Sequence, residues 1–163
     1  MTPVEKRNIE GKVITQNRYA EILEKTRWAT EFTWQEICQI CEYVKPVKAK
    51  TGAVIFHEGE VDKSLGIIVK GAIDITKDDG ADRKKITTLT SSQTFGEMAL
   101  IDGEPRSATG IAAQETIIFY ITAYNMAALC DENPKLGIKF LWKISKTISQ
   151  RLRSTTGRLI DLM

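Results

Sequence analysis

At 163 residues the chain has the length of one domain with a short appendage, and its hydrophobic content of 42% is enough to build a core. A net charge of +2 argues against a molecule designed as a whole to bind polyanions. No apolar run reaches the roughly eighteen residues of a membrane span, and the start, Met1-Thr2-Pro3-Val4-Glu5-Lys6-Arg7, has no apolar stretch of a secretory signal, so a cytoplasmic protein is expected.

Residues 1–16 mix charges without periodicity and are expected to be loosely held. Asn17 is placed to cap a helix through Tyr19, Ile22 and Leu23, with Glu21 and Lys25 as an i,i+4 pair on its outer face. Thr33 followed by Glu36 has the spacing of a capping box, and Ile37, Ile40, Cys41 and Val44 form the apolar stripe of the helix it opens. Cys38 and Cys41 make a C-x-x-C pair, but no second pair and no histidine other than His57 completes a metal site. They read as small residues on a buried helix face, as does Cys130. Thiols of that kind fit a reducing compartment.

Pro46 is expected to end the helical section, and the chain then reads as short strands punctuated by glycines. Val47 and Ala49 alternate with lysines. Further strands are expected over 53–56, 65–69, 72–76, 85–89, 108–112 and 116–121, with Glu58-Gly59-Glu60, Lys70-Gly71 and Asp78-Asp79-Gly80 as turns. Strands this short and this regularly spaced predict a β-sandwich or roll. His57, beside Phe56, reads as a surface residue.

Residues 95–109 interrupt the strands with a different pattern: Phe95-Gly96-Glu97-Met98-Ala99-Leu100, a spacer containing Gly103, then Pro105-Arg106-Ser107-Ala108-Thr109. Gly96 permits close approach of the backbone, and residues 97–100 favour one helical turn whose first N–H groups carry partial positive charge. Gly103 and Pro105 turn the chain, and Arg106 offers a planar fork for phosphate oxygens. Glu97 would repel an anion, but it suits a ligand that also carries a sugar hydroxyl. Two readings stand on these residues alone: a nucleotide site, or a helical turn with a structural Glu–Arg pair.

A short helix is expected over 124–129. Asn133-Pro134 then opens a long one, with Asn133 as cap and Pro134 at the first position. Leu141, Ile144, Ile148, Leu152, Thr155, Leu159 and Leu162 are spaced like a coiled-coil seam, with Gly157 weakening its last turns. The seam fits either packing on the protein's own strands or pairing with a second copy. Lys135, Lys139, Lys143 and Lys146 run along another face, which reads as solvated; an acidic partner, nucleic acid or a membrane surface is the alternative.

The run F-G-E-x-A-L followed by P-R-x-A-T resembles the phosphate-binding cassette of cyclic nucleotide-binding domains, the family of the regulatory subunits of cyclic-AMP-dependent kinase and of the bacterial catabolite activator. Gly52, Ile55-Phe56, Glu58-Gly59-Glu60, Ile67-Ile68 and Gly71 follow the same family pattern, so the resemblance covers about residues 31–155. It departs at Gly66, where relatives often carry an aromatic residue. The resemblance implies a mainly β fold with flanking helices: a jelly-roll (β-roll) over 31–132, an N-terminal extension over 1–30, and a long C-terminal helix over 133–163. It implies that Glu97 accepts the ribose 2′-OH and that Arg106 pairs with the cyclic phosphate. Phe95, Gly96, Met98, Ala99, Leu100, Ser107 and Ala108 would complete that site, and Arg151, Thr155 and Thr156 would reach the base from the long helix. Ser107 stands where cyclic-GMP-selective relatives often have Thr; cyclic AMP is the expected ligand and cyclic GMP the alternative. No catalytic set and no metal cluster is present, so a sensor rather than an enzyme is expected. In the bacterial activators a helix-turn-helix follows the long helix; here the chain stops at Met163, so no recognition helix is expected. Action through a protein effector, with or without homodimerisation through the long helix, is therefore expected in preference to DNA binding.

Overall fold

Eight short strands form two four-stranded sheets, and the helices at both ends of the chain cover one of them. The computed structural model describes residues 16–80 and 82–161; the expectations for residues 1–15 and for Leu162 lie outside these. In chain order the elements are α1 (Gln16–Glu24), a 3-10 turn (Arg27–Glu31), α2 (Trp34–Cys41), β1 (Lys45–Ala49), β2 (Val54–Phe56), β3 (Ser64–Lys70), β4 (Ala72–Asp78), β5 (Arg83–Thr90), β6 (Thr94–Phe95), α3 (Glu97–Asp102), β7 (Thr109–Ala112), β8 (Thr116–Thr122), α4 (Ala123–Glu132) and α5 (Pro134–Asp161). One sheet has the order β1-β8-β3-β6 and the other β2-β7-β4-β5. The pairings are antiparallel. The β-roll with flanking helices expected from the sequence is the observed architecture.

Strand alternation divides the core in two. In β8, Ile118 and Tyr120 point between the sheets, while Phe119 and Ile121 point outward beneath the helices. A central strand buried on both faces reads as a continuous apolar run, which explains Ile117 through Ile121. The inter-sheet core includes Val47, Ile55, Phe56, Ile73, Leu89 and Phe95. The outer core joins Leu23, Trp28, Phe32, Ile37 and Ile40 of the N-terminal helices to Leu136, Phe140 and Ile144 of α5. Trp28 stacks on Phe32 at 5.1 Å and meets Phe140 edge-on at 5.2 Å. Each fully buried side chain of this size contributes about 1.5–3 kcal/mol.

The helix ends follow local chemistry. Thr33 closes the expected capping box: its oxygen accepts from the Glu36 N–H at 3.2 Å, and its own N–H donates to Glu36 Oε2 at 2.8 Å. Asn133 Oδ1 accepts from the Leu136 N–H at 3.1 Å and caps α5, with Pro134 as its first residue. Two boundaries differ from expectation. Asn17 lies inside α1 (Gln16–Glu24) rather than capping it. Pro46 lies within β1 instead of ending the helical section; β1 is an edge strand, where a missing N–H is tolerated.

The expected seam of α5 is divided. Ile144 is buried and Leu141 and Ile148 pack against the outer core, but Leu152, Thr155 and Leu159 are exposed. Leu136 and Phe140, outside the expected seam, are the residues that bury its first half. The lysine stripe is also not simply solvated. Lys139 pairs with Glu36 at 2.6 Å, and Lys143 pairs with Glu31 at 3.2 Å while lying over the Trp28 and Phe32 rings. Both tie α5 to the N-terminal helices. His57 is exposed, as expected. The three cysteines are free thiols: Cys41 is buried, which pushes its pKa up to about 12, and Cys38 and Cys130 are half-buried.

Candidate functional site

Residues 96–108 connect β6 in one sheet to β7 in the other, so the expected anion trap lies at the junction of the sheets. Gly96 takes φ +81°, a left-handed conformation, immediately before α3. A β-carbon there would lie 1.9 Å from Arg106 Nη1 and 2.4 Å from the Ser64 carbonyl oxygen. Only glycine lets the Arg106 side chain pass.

Arg106 is buried and forms the centre of the site. Its Nη2 donates to Asp62 Oδ2 at 2.8 Å and to Ser64 Oγ at 3.1 Å. Its guanidinium lies over the Phe56 ring at 5.1 Å and the Phe95 ring at 5.9 Å. Those rings stack at 5.1 Å, and each is made possible by a cross-strand glycine. A β-carbon at Gly66, opposite Phe95, would sit 2.2 Å from that ring; one at Gly110, opposite Phe56, would sit 2.3 Å from the other. Gly66 thus leaves open the space that the Phe95 ring occupies. The backbone is fixed too: Arg106 N–H donates to the Glu60 carbonyl at 2.9 Å, and its carbonyl accepts from Gly59 N–H at 2.8 Å. Arg106 Nε and Nη1 are buried without a hydrogen-bond partner among the described residues. Buried donors left without acceptors cost about 1–3 kcal/mol each, more when charged, so an anion's oxygens are what this arrangement lacks.

Glu97, the first residue of α3, is also buried. Thr94 donates to its Oε1, and Arg151 Nη1 donates to its Oε2 at 2.7 Å. Arg151 Nη2 also bonds the Thr94 carbonyl. A carboxylate has about four lone-pair positions, so Glu97 retains capacity for a ligand hydroxyl.

These groups surround a cavity of about 210 Å³. Phe95, Gly96, Glu97, Met98, Ala99, Arg106, Ser107, Ala108 and Arg151 line it, as does Ile75, Thr87 and Leu89 from β4 and β5. The remaining candidates stand elsewhere. Leu100 turns into the outer core. Thr155 and Thr156 are exposed, and their hydroxyls donate to the carbonyls of Arg151 and Leu152 one turn back. Asp62, Ser64 and Thr94 are partners that reading the sequence missed. Thr94 is three residues from Glu97 and could have been found by spacing. Asp62 is 44 residues from Arg106 and could not. No cluster of metal-ligating residues occurs among the described residues, and no helix among them is long and apolar enough to cross a membrane.

Comparison with known proteins matches residues 46–133 to the cyclic nucleotide-binding domain. Over 100 residues the chain is 33% identical to a cyclic nucleotide-gated potassium channel of Rhizobium etli, covering 61% of this chain and 27% of the channel. It is 25% identical over 128 residues to a CRP-like cAMP-activated global transcriptional regulator of Mycobacterium tuberculosis, covering 78% of this chain and 55% of the regulator. The chain thus spans about a quarter to about half of these relatives. A crystal structure of a cyclic nucleotide-binding domain from Methylobacillus flagellatus superposes with a TM-score of 0.78 at 26% identity, covering 91% of this chain and 84% of that one.

Proposed function

The chain belongs to the cyclic nucleotide-binding domain family, a regulatory and sensing fold, and on that premise we propose that it binds cyclic AMP in the cavity around residues 95–108 and signals to a protein partner through α5. The observation that carries this reading is the buried Arg106 guanidinium with two donors unpartnered among the described residues. The cyclic phosphate would accept from them, and N–H groups of Gly96, Ala99, Ser107 and Ala108 would complete its cradle. The ribose 2′-OH would donate to Glu97. The base would lie between the β4–β5 wall and Arg151.

The protein acts by binding, without chemistry of its own, in a reducing cytoplasm where its free thiols persist. Ser107 permits either base, so cyclic GMP is the competing ligand. Calorimetric titration with cyclic AMP, cyclic GMP and 5′-AMP tests the reading. Cyclic AMP is expected to bind most tightly and to be recovered unhydrolysed. A preference for cyclic GMP overturns the choice of base; release of AMP overturns the absence of catalysis.

A homodimer through α5 is a second reading, favoured by exposed Ile138, Trp142, Leu152 and Ile160 along one side of that helix. Their spacing keeps them on a common stripe. Sedimentation equilibrium of the wild type and of Leu152→Glu decides it: a dimer dissociated by the substitution supports pairing, and a monomeric wild type removes it.

A further inference from the structure

The β4–β5 side of the cavity around Arg106 is formed by Ile75, Thr87 and Leu89, and Thr87 is the one of the three with a hydrogen-bonding side chain. We propose, resting on the cyclic nucleotide reading above, that Thr87 is the residue that reads the base. Its hydroxyl bonds the group at position 6 of the purine: it accepts from the amino group of adenine, or donates to the carbonyl oxygen of guanine.

Strand register puts Thr87 there. Thr87 stands opposite Ile75 and Leu89 opposite Ile73, and residues two apart on a strand share a face. Ile73 and Leu89 are buried between the sheets with Phe95, and Ile75 packs against them. The intervening pair, Asp74 and Thr88, lies on the other face, where Thr88 Oγ1 donates to Asp74 Oδ1 at 2.5 Å. The two neighbouring threonines therefore differ in what is left for them to bond. Thr88 is satisfied by its cross-strand partner. The Thr87 hydroxyl lines the cavity and has no hydrogen-bond partner among the described residues.

The wall is deep at one end and open at the other. Leu89 belongs to the same buried cluster as Phe95, the ring beneath Arg106. Thr87 lies two residues, roughly 7 Å, further along β5 and is half-buried. With the phosphate on Arg106 and the ribose hydroxyl on Glu97, the base is the part of the ligand left for this wall. Ile75 and Leu89 offer apolar area to the flat face of any purine, so they do not tell one base edge from another. A hydroxyl does, and because it both donates and accepts it suits a group of either polarity. Thr87 thus supports cyclic AMP and the competing cyclic GMP alike, and penalises a purine that is bare at position 6.

Calorimetric titration of the full chain with cyclic AMP, cyclic GMP and purine riboside 3′,5′-cyclic monophosphate, which carries hydrogen at position 6, tests the assignment in the wild type, Thr87→Val and Thr87→Ser. Valine keeps the β-branched shape and the strand preference and removes the hydroxyl. The wild type is expected to bind the first two nucleotides more tightly than the third by roughly two- to tenfold, the worth of one neutral hydrogen bond. Thr87→Val is expected to weaken the first two by that factor and leave the third unchanged, and Thr87→Ser to retain the difference. Equal binding of all three by the wild type, gaps unchanged in Thr87→Val, or a parallel loss for all three overturns the proposal. Binding of none of the three by the wild type overturns the cyclic nucleotide reading and this proposal with it, a result distinct from binding of all three without regard to Thr87.

Discussion

Arg151 Nη1 lies 2.7 Å from Glu97 Oε2, joining α5 to the wall of the cavity around Arg106 across 54 residues of sequence. Arg151 is the one α5 residue that lines this cavity, and beyond it every residue from 152 to 161 is exposed. The helix thus has a first half packed on the core and a second half attached through a single side chain. A ligand can shift the position of α5 only through contacts that would differ between a docked and a released helix, and this ion pair is the contact to test. Arg151→Gln is expected to loosen the helix and weaken cyclic AMP binding. Amide exchange is expected to slow between Ile148 and Leu159 on adding ligand to the wild type. Equal exchange with and without ligand would show that the signal leaves by another route.

Glu97 is expected to read the ribose. A 2′-deoxy cyclic nucleotide should bind the wild type less well, because a buried carboxylate loses a donor it was placed to receive. Glu97→Gln should narrow that difference. Calorimetry with both nucleotides on both proteins gives the comparison, and equal binding of the deoxy form by the wild type would make Glu97 purely structural.

Gly66→Ala is expected to act on stability and affinity together. The added carbon would fall 2.2 Å from the Phe95 ring, which lies beneath Arg106. Overpacking of this kind costs about 1–3 kcal/mol. Urea unfolding should show a lower midpoint, with weaker cyclic AMP binding as the ring is displaced. An unchanged midpoint would mean that Phe95 repacks freely.

The pair between Glu36 and Lys139 predicts a pH dependence. Burial raises the Glu36 pKa, but the Lys139 ammonium and the Thr33 bonds outweigh it and hold it below 4.5. A depressed folded-state value contributes stability that is full above about 4.5 and is lost as pH falls through that folded value. The melting temperature of Glu36→Gln should therefore fall furthest below the wild type above 4.5 and converge on it in more acid solution. A constant difference across that range would show that the pair does not stabilise the fold.

Features written in neighbouring residues were legible in the sequence. The capping box of Thr33 and Glu36, the strand over 116–121 and the run of residues 95–108 are each carried by residues close together in the chain. Contacts between distant segments were not. Lys139 looked solvated because Glu36, its partner, is 103 residues away. Asp62 lies in a loop with no pattern of its own, and its role appears only when folding brings it to Arg106. Strand β6 has two residues, too few to show alternation. The seam on α5 was read from Leu141 onward, since coiled-coil spacing is the same whether a helix packs on a neighbour or stays bare; exposure at Leu152 and Leu159 depends on where the N-terminal helices end.

Titration of cyclic AMP into the wild type and into Arg106→Lys tests the central claim most directly. Lysine keeps the charge but loses the planar fork. Losing such a charge-assisted contact costs about 1.5–3 kcal/mol, or roughly ten- to a hundredfold in affinity. The variant should keep a cooperative thermal transition and bind more weakly by that factor or more. Equal affinity in a folded Arg106→Lys variant would contradict the phosphate site.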